Sequence, residues 1–553
     1  MRRSLRQVFQ VRGYAWSGPA PARRVGCLLA APAARPTTNK PRTMTVTNPT
    51  VDNQTPDNPD NPDTPDTPDT PDSPDSALRR SPAATWLGRV LAAALVVGGI
   101  VCLVMVGQLG MLPTSWLVIA CIAAALVGGA VALGLWLTKA PPAWVRFSAL
   151  AIVALVGIAG EAAVVKAAGD FNRFFEEAAP LAPTAEYVVI ALADHDPAPA
   201  SLTGEVIGEL ADSVNREAIE AHLADKFQTT FATCGDATGL ATELTSGRFD
   251  AAALNAGIYA AYEEADPEFY ASVQVIYSFD IDDAVPPPPS PTPVAQGEPF
   301  VVYISGIDTA GQISRVSRSD VNILMVVNPN TGQILLVNTP RDYYVQLHDT
   351  TGTKDKLTHA GIYGVQKSID TLQDLYGISI DYYARVNFSS VIEMVDLVGG
   401  IDLVNPESFK SIHGGGMTFE AGELHLNGEQ ALAFSRERYA FAAGDRTRGK
   451  NQQLVIAALV NKASERSNLL RYNELLTALA DAVEFNIPQE QIANLVKQRL
   501  EDGQSWQVTS YSVDGTGASE PTYSMGSLRL YVMIPDQATV DEAHRLIEAT
   551  LAG

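Results

Sequence analysis

Cysteine is scarce in this chain. The four cysteines, at positions 27, 102, 121 and 234, share no short spacing, which excludes a Cys-rich zinc module and a disulfide scaffold. Basic residues are outnumbered, with 39 Lys and Arg against 62 Asp and Glu for a net charge of −23. The chain therefore lacks the basic footprint of a protein that coats nucleic acid. No Gly-x-x-x-x-Gly-Lys-Ser/Thr run occurs, so there is no nucleotide-binding P-loop. Charged residues are only 18% and apolar residues 46% of the 553 positions. That length is too great for one compact domain and implies about three to four units.

Charge is also missing locally. Residues 1–43 carry nine Lys or Arg and no acid, whereas residues 52–76 carry eight Asp and no base. Pro-Asp recurs there every third residue, from Pro56-Asp57 to Pro74-Asp75. With so little apolar surface to bury, residues 1–85 read as a disordered N-terminus. Its Arg-rich start fits a targeting peptide; Met44 fits as the true first residue equally well, with 1–43 an upstream extension.

Residues 86–166 are the reverse, rich in apolar residues and nearly free of charge. Val90–Leu112 and Trp116–Leu137 carry no charge, and Phe147–Val165 carries only Glu161. Each run approaches the ~20 residues a helix needs to cross a bilayer, so three transmembrane helices are expected. A buried soluble hairpin is the alternative, but it sits badly with long uncharged runs separated only by Met111-Leu112-Pro113-Thr114-Ser115. Arg79, Arg80 and Arg89 precede the first run, the first loop is uncharged, and the second contains Lys139 and Arg146. Basic loops stay inside, which makes the N-terminus cytoplasmic and puts residues from about 170 onward outside the cell. The expected location is a multi-pass cell-membrane protein with an extracellular bulk. Cys234, the one cysteine in that bulk, reads as a small buried apolar residue rather than a reactive thiol.

Residues 184–281 read as a small α/β accessory domain. Tyr187–Leu192 and Val273–Phe279 have strand character and Ile207–Ala224 helical spacing; no catalytic constellation is visible. Residues 282–298 form a linker in which Val-Pro-Pro-Pro-Pro-Ser-Pro-Thr-Pro (285–293) is a stiff polyproline spacer. Residues 299–553 interleave strands and helices. Strands are expected at Phe300–Ser305, Val321–Val327 and Gln333–Asn338, with a hairpin turn at 328–332. Helical spacing covers 366–376, 389–398, 427–433, 450–464 and 471–483. The expected class is α/β.

Polar residues gather at the strand ends. Asp308 ends the first strand. Arg318 and Asp320, two apart, share a face if extended. Arg341 and Asp342 end the third strand, and Arg436 and Arg438 are again two apart. Asp445 leads into a helix on which Arg448 and Gln452, four apart, share a face. Forked guanidinium donors match phosphate oxygens, and carboxylates beside them suit a hard divalent cation. Taken singly these signals are weak: Arg-x-Arg on a strand is also the pattern of a solvated face, and Asp308 also suits a turn cap. His359 and His413 have no partners at metal spacing and read as loop or surface residues.

In order along the chain stand Val-Tyr-Ile-Ser-Gly-Ile-Asp (302–308), Ser-Arg-Ser-Asp-Val-Asn (317–322), Asn-Thr-Pro-Arg-Asp-Tyr-Tyr-Val (338–345) and Asp-Lys-Leu-Thr-His-Ala-Gly-Ile-Tyr-Gly (355–364). Tyr-Tyr-Ala-Arg-Val-Asn-Phe (382–388), Val-Asp-Leu-Val-Gly-Gly-Ile-Asp (395–402), Leu-Asn-Gly-Glu-Gln-Ala-Leu-Ala-Phe-Ser-Arg-Glu-Arg-Tyr (426–439) and Gly-Asp-Arg-Thr-Arg-Gly-Lys-Asn-Gln-Gln (444–453) follow. Together they resemble the LytR-CpsA-Psr family of membrane-anchored cell-wall phosphotransferases. The layout of three membrane helices, accessory domain and catalytic domain is similar to the capsule-type (CpsA-like) members.

The resemblance implies a mixed central sheet flanked by helices, with an apolar groove for a lipid tail. Val391, Val395 and Val398 make an apolar helix face that suits such a groove, although plain core is the ordinary reading. It implies transfer of a glycopolymer from a polyprenyl-pyrophosphate carrier to peptidoglycan, forming a phosphodiester, with a pyrophosphatase side activity. Asp308 and Asp320 would hold Mg²⁺ or Mn²⁺. Arg318, Arg341, Arg436, Arg438, Arg448 and Gln452 would bind the pyrophosphate. Asp445 would orient the arginines or act as base, and the general base stays open. Asn451 stands where some members carry Arg, as in the capsule-type variant. The expected partners are the lipid-linked polymer, peptidoglycan and the membrane, not nucleic acid; oligomeric state is not readable. A non-catalytic wall-polymer binding protein is the competing reading, but a pure binder needs no carboxylates beside its arginines. A membrane-attached transcription regulator is disfavoured: residues 52–76 would repel DNA.

Overall fold

The structure, a computed structural model, describes residues 122, 166, 183–282, 284–307, 313, 315–469, 475 and 483–553. The basic and Pro-Asp segments and the three apolar runs lie outside the described residues, apart from the single positions 122 in the second run and 166 just past the third. So do Asp308 and nearly all of the helical stretch expected at 471–483. Among the described residues no helix is long and apolar enough to cross a membrane.

The first sheet contains β1 (Thr184–Leu192), β2 (Val206–Leu210), β3 (Thr230–Cys234), β4 (Ala251–Asn255) and β5 (Val273–Ile281) in the order β3-β2-β4-β1-β5. Helices α1 (Arg216–Phe227), α2 (Ala237–Thr245) and α3 (Ala256–Ala265) accompany it, with a short helical turn at Pro267–Ser272. Asp236 caps α2 by accepting from Gly239 N–H at 2.8 Å, and Asn255 caps α3 by accepting from Gly257 N–H at 2.8 Å. The strands expected at 187–192 and 273–279 are β1 and β5. The helix expected over Ile207–Ala224 is instead β2 followed by α1. Ile207 and Leu210 have helical spacing, but β2 lies parallel between β3 and β4. A short strand covered on both faces loses its alternation of two, and periodicity then cannot tell it from a helix.

Glu209 lies within β2 at 0% exposure, and neither carboxylate oxygen has a hydrogen-bond partner. Burial, reinforced by the Glu220 charge and opposed by Arg216, pushes its carboxyl up to about 8. The folded state therefore keeps a proton that the unfolded chain releases near pH 4.3. Stability should fall as pH rises from there and level off above pH 8. Glu209→Gln should unfold at higher denaturant than the parent at pH 8, by about 1 kcal/mol or more, with little difference near pH 4. Urea titrations across that range decide it; parallel curves for the two proteins would refute the assignment.

The second sheet contains β6 (Phe300–Ile307), β8 (Ser319–Asn328), β9 (Gln333–Asn338), β10 (Tyr382–Val386), β11 (Val483–Phe485) and β12 (Gln507–Ser512), in the order β11-β10-β6-β8-β9-β12. Pairs β6–β10 and β9–β12 are parallel and the rest antiparallel. Asn328–Gly332 closes the β8–β9 hairpin: Asn328 Oδ1 accepts from the Asn330 and Thr331 amides, and Gly332 takes φ +68. Around the sheet lie α4 (Val365–Tyr376), α5 (Phe388–Leu397), α6 (Gly428–Arg436), α7 (Asp445–Ala463), α8 (Gln489–Asp502) and α9 (Gln537–Ala552). These are the helices expected near 366–376, 389–398, 427–433 and 450–464, together with two that the spacing did not single out.

The two-residue period of β6 sorts its side chains. Val301 and Tyr303 enter a core with Leu372 of α4 and Ile547 of α9. Val302 and Ile304 face the other way, toward Ile456 and Val460 of α7. That second face is incompletely filled, and the space left is the cavity described below.

The two sheets are fastened together. Arg315–Val316, β7, pairs in parallel with Thr184–Ala185 of β1. Arg315 also binds Glu186 at 2.7 Å and Asp280 at 3.2 Å. Ile258 and Tyr262 of α3 share one apolar cluster with Ile362, Met525 and Leu530. The accessory unit and the larger unit thus bury a common surface.

Candidate active site

Arg341 follows β9 in the turn Thr339-Pro340-Arg341-Asp342. Its Nη1 donates to Asp320 Oδ2 at 3.0 Å, and its Nε lies 3.8 Å from Asp342 and 4.0 Å from Asp445. Asp445 opens α7 and pairs with Arg448 one turn on, at 2.5 Å. Thr358 donates to the other Asp320 oxygen at 3.1 Å. Gly361 makes that approach feasible. A Cβ there would stand 2.5 Å from the Ser317 carbonyl oxygen and 2.8 Å from the Ser319 nitrogen. Only glycine lets this turn close on the strand that carries Asp320.

Burial works against charge throughout the cluster. It raises Asp320, but Arg341, Arg448, Arg318 and the Thr358 hydrogen bond outweigh it and hold the carboxyl below the usual range. For Arg341, burial is likewise overcome by Asp320, Asp342 and Asp445, which raise it. At Asp445 burial prevails over Arg448 and raises the carboxyl, and at Arg448 burial lowers the guanidinium. The cluster thus holds one firmly ionised carboxylate, Asp320, and one more basic, Asp445. The Nε atoms of Arg341 and Arg448 are buried with no hydrogen-bond partner.

The cluster forms the mouth of a cavity of about 380 Å³ between the second sheet and helices α5 and α7. Asp320, Arg341, Arg436, Arg438, Arg448 and Gln452 line its polar end. Val302, Ile304, Met325, Met394, Leu459 and Val460 line its apolar length. Arg448 and Gln452 share the helical face expected of them. The Arg436 guanidinium lies 3.8 Å from the centroid of the Phe388 ring, and Arg438 donates to the Tyr439 hydroxyl at 2.5 Å.

Several expectations change. Arg436 and Arg438 are not on a strand: Arg436 ends α6 and Arg438 follows in a turn. Buried Glu437 holds that turn by accepting from the Ile412, Tyr439 and Ala440 amides. Arg318 precedes β8 and lines an adjoining polar cleft together with Asp445, while Asp320 lines the cavity. His359 is not a surface residue: it is buried, with Nδ1 2.7 Å from Asp355. His413 lines the cavity. Of the apolar face on α5, Val391 lines the cavity, whereas Val395 and Val398 are plain core. Asn451 does not line the cavity; its amide donates to the Phe434 carbonyl at 3.3 Å, tying α7 to α6. Cys234 is half-buried, and burial pushes its thiol up to about 11, too high for a nucleophile at neutral pH.

The spacing of residues missed Thr358, Lys356 and Glu264. Lys356 Nζ lies 2.7 Å from Asp342 and 3.0 Å from Glu264 of α3. Thr358 and Lys356 fall inside the stretch 355–364 without a recognisable chemical pattern. Glu264 comes from the accessory unit, and no local signal could have joined it to the site.

For a divalent cation the donor set fits in kind. Asp320 is an ionised oxygen donor, though one oxygen already meets Arg341 and the other Thr358. Among the described residues no group of three or more His, Cys, Asp or Glu converges. One or two carboxylates would suffice for Mg²⁺ where phosphate oxygens and water complete the shell.

Residues 270–542 match the model of the LytR_cpsA_psr family. The polyisoprenyl-teichoic acid–peptidoglycan teichoic acid transferase TagU of Bacillus cereus is 31% identical over 257 residues, covering 46% of this chain and 79% of the relative. The enzyme of the same name in Enterococcus faecalis is 38% identical over 193 residues, covering 34% and 62%. The crystal structure of Bacillus subtilis TagV is 28% identical, covers 47% of this chain and 99% of TagV, and gives a TM-score of 0.41.

Proposed function

This chain belongs to the LytR-CpsA-Psr family, and we propose that it is a membrane-anchored phosphotransferase. It moves a glycopolymer from a polyprenyl-pyrophosphate carrier onto peptidoglycan. The runs within 86–166 hold it in the membrane and residues from about 170 onward lie outside the cell. The cargo is a capsular, teichoic-type or arabinogalactan-like chain. One observation carries the reading: an arginine and carboxylate cluster stands at the mouth of an apolar cavity. A ligand with a charged head and a hydrocarbon tail matches both halves.

In this reading the tail lies along Val302, Met325 and Leu459. Arg341, Arg436, Arg438 and Arg448 hold the pyrophosphate oxygens, with Gln452 as a neutral donor. The acceptor hydroxyl oxygen attacks the phosphorus that bears the polymer. An O–P bond forms, the bridging P–O bond breaks, and polyprenyl phosphate departs into the cavity. Asp445, the more basic carboxylate of the cluster, receives the hydroxyl proton. Guanidinium charge neutralises the equatorial oxygens, where phosphoryl transfer needs most help. Asp308 and Asp320 would hold Mg²⁺ or Mn²⁺, which when bound would add charge neutralisation. Water in place of the acceptor would give the pyrophosphatase side reaction.

The test uses the full chain in detergent with a polyprenyl-pyrophosphate-linked saccharide, reading polyprenyl phosphate release. Release should require Mg²⁺ or Mn²⁺ and stop in EDTA. Val391→Trp, which narrows the cavity, should raise KM for the long-tailed donor about tenfold, the loss of a few buried methylenes. A short-tailed donor should be affected less. A wild-type chain that binds the donor without cleaving it would instead establish the non-catalytic binder.

A further inference from the structure

Arg341 and Arg438 face two spaces at once. One is the apolar cavity; the other is a polar cleft of about 720 Å³. Arg318, Asp342, Asp445 and Arg446 border the cleft on the side of the larger unit. Its far wall is α3 of the accessory unit, through Ala260, Glu263 and Glu264. Tyr531, half-exposed, stands at the rim.

The accessory wall is locked to the site. Both Glu264 oxygens lie 3.0 Å from Lys356 Nζ, which itself lies 2.7 Å from Asp342, the residue after Arg341. Helix α3 is thereby linked through Lys356 to the turn that carries Arg341.

In-line phosphoryl transfer brings the entering oxygen in opposite to the leaving one. On the function proposed above, the apolar cavity takes the leaving polyprenyl phosphate. The entering hydroxyl must then reach the guanidinium pair from its other side, where the cleft opens. The cleft's chemistry agrees. Glu263 and Glu264 would repel a second polyanionic chain, but carboxylates accept hydrogen bonds from sugar hydroxyls. Arg318 can donate to hydroxyl or carbonyl oxygens, and an exposed tyrosine offers a flat apolar face to a sugar ring.

We propose that this cleft is the acceptor subsite, taking the uncharged hydroxyl-bearing face of a glycan strand, and that helix α3 of the accessory unit forms one of its walls. The site is then incomplete without the accessory unit. The hydroxyl oxygen enters from the cleft side and gives its proton to Asp445, which borders the cleft.

The experiment uses the full chain in detergent, a polyprenyl-pyrophosphate-linked saccharide, and a soluble tetrasaccharide of alternating N-acetylglucosamine and N-acetylmuramic acid. Polyprenyl phosphate released and saccharide joined to the tetrasaccharide are measured separately. Ala260→Trp, which fills the cleft, and the milder Glu263→Gln and Tyr531→Ala should lower the ratio of joined to released product. Ala260→Trp should lower it at least about tenfold, with KM for the acceptor raised and KM for the donor much less affected. An unchanged ratio in all three variants, or a fall accompanied by an equal rise in donor KM, overturns the proposal. If the wild type releases no polyprenyl phosphate at all, the phosphotransfer reading fails, and tetrasaccharide binding decides the cleft. Protection of α3 amides from hydrogen exchange that disappears in Ala260→Trp sustains it. No protection, or protection that persists in that variant, sinks it.

Discussion

Arg341→Ala is expected to lower polyprenyl phosphate release by roughly 10³-fold, about 4 kcal/mol of transition-state stabilisation. The size follows from its position. Among the described residues Arg341 is the one guanidinium within 4.0 Å of Asp320, Asp342 and Asp445, and it lines both the cavity and the cleft. Its Nε is buried beside Asp342 and Asp445, so the side chain ties these carboxylates to the face it turns to the cavity. Alanine also removes the guanidinium that pairs with buried Asp320, and loss of folding would imitate loss of catalysis. Arg341→Lys separates the two effects. It keeps a positive charge among the carboxylates but not the planar fork, so stability should largely persist while release still falls by about 10²-fold. Full turnover in both variants, measured on chains that circular dichroism shows to be folded, would remove Arg341 from the chemistry.

Lys356→Met should cost the fold about 3 kcal/mol, the usual price of breaking a buried ion pair. The Lys356 side chain is 3% exposed and Asp342 9%, at 2.7 Å from one another. Methionine leaves the Asp342 carboxylate buried with only the more distant Arg341 Nε nearby. The second carboxylate on Lys356 matters less: Glu264 is 44% exposed, water already screens it, and Glu264→Gln should cost within about 1 kcal/mol. Adding Asp342→Asn to Lys356→Met should recover more than about 1 kcal/mol, because the stranded charge is then gone. Chemical denaturation of the four proteins measures this directly. If the double variant is as unstable as the sum of its singles, the pair is not coupled.

How far the site could be read from the chain varies residue by residue, and the reasons are physical. Arg448 and Gln452 were legible because a helix repeats its faces regularly, so four positions apart means the same side. Arg436 and Arg438 were identified together for the wrong reason. Alternation suggested a strand, whereas a helix end and a turn held by buried Glu437 produce the same juxtaposition. His359 looked like a loop residue because its partner, Asp355, is ordinary in sequence and the burial of both is set by distant elements. Strand β2 was taken for helix because cover on both faces erases the period of two.

Taken alone, the amino-acid order determined the first three strands of the second sheet, four of the helices around it, the family, and most of the polar residues at the site. Local periodicity and an ordered set of motifs are properties of the chain itself. Only the tertiary structure decided that Val391 borders a cavity while Val395 and Val398 are core, that Arg341 serves two spaces, and that Glu264 of the accessory unit reaches Lys356. Those facts depend on which faces of separate elements are left uncovered after packing, and on contacts between residues some ninety positions apart, 92 for Glu264 and Lys356. No repeat or spacing encodes such contacts, since they arise from the sum of all the packing around them.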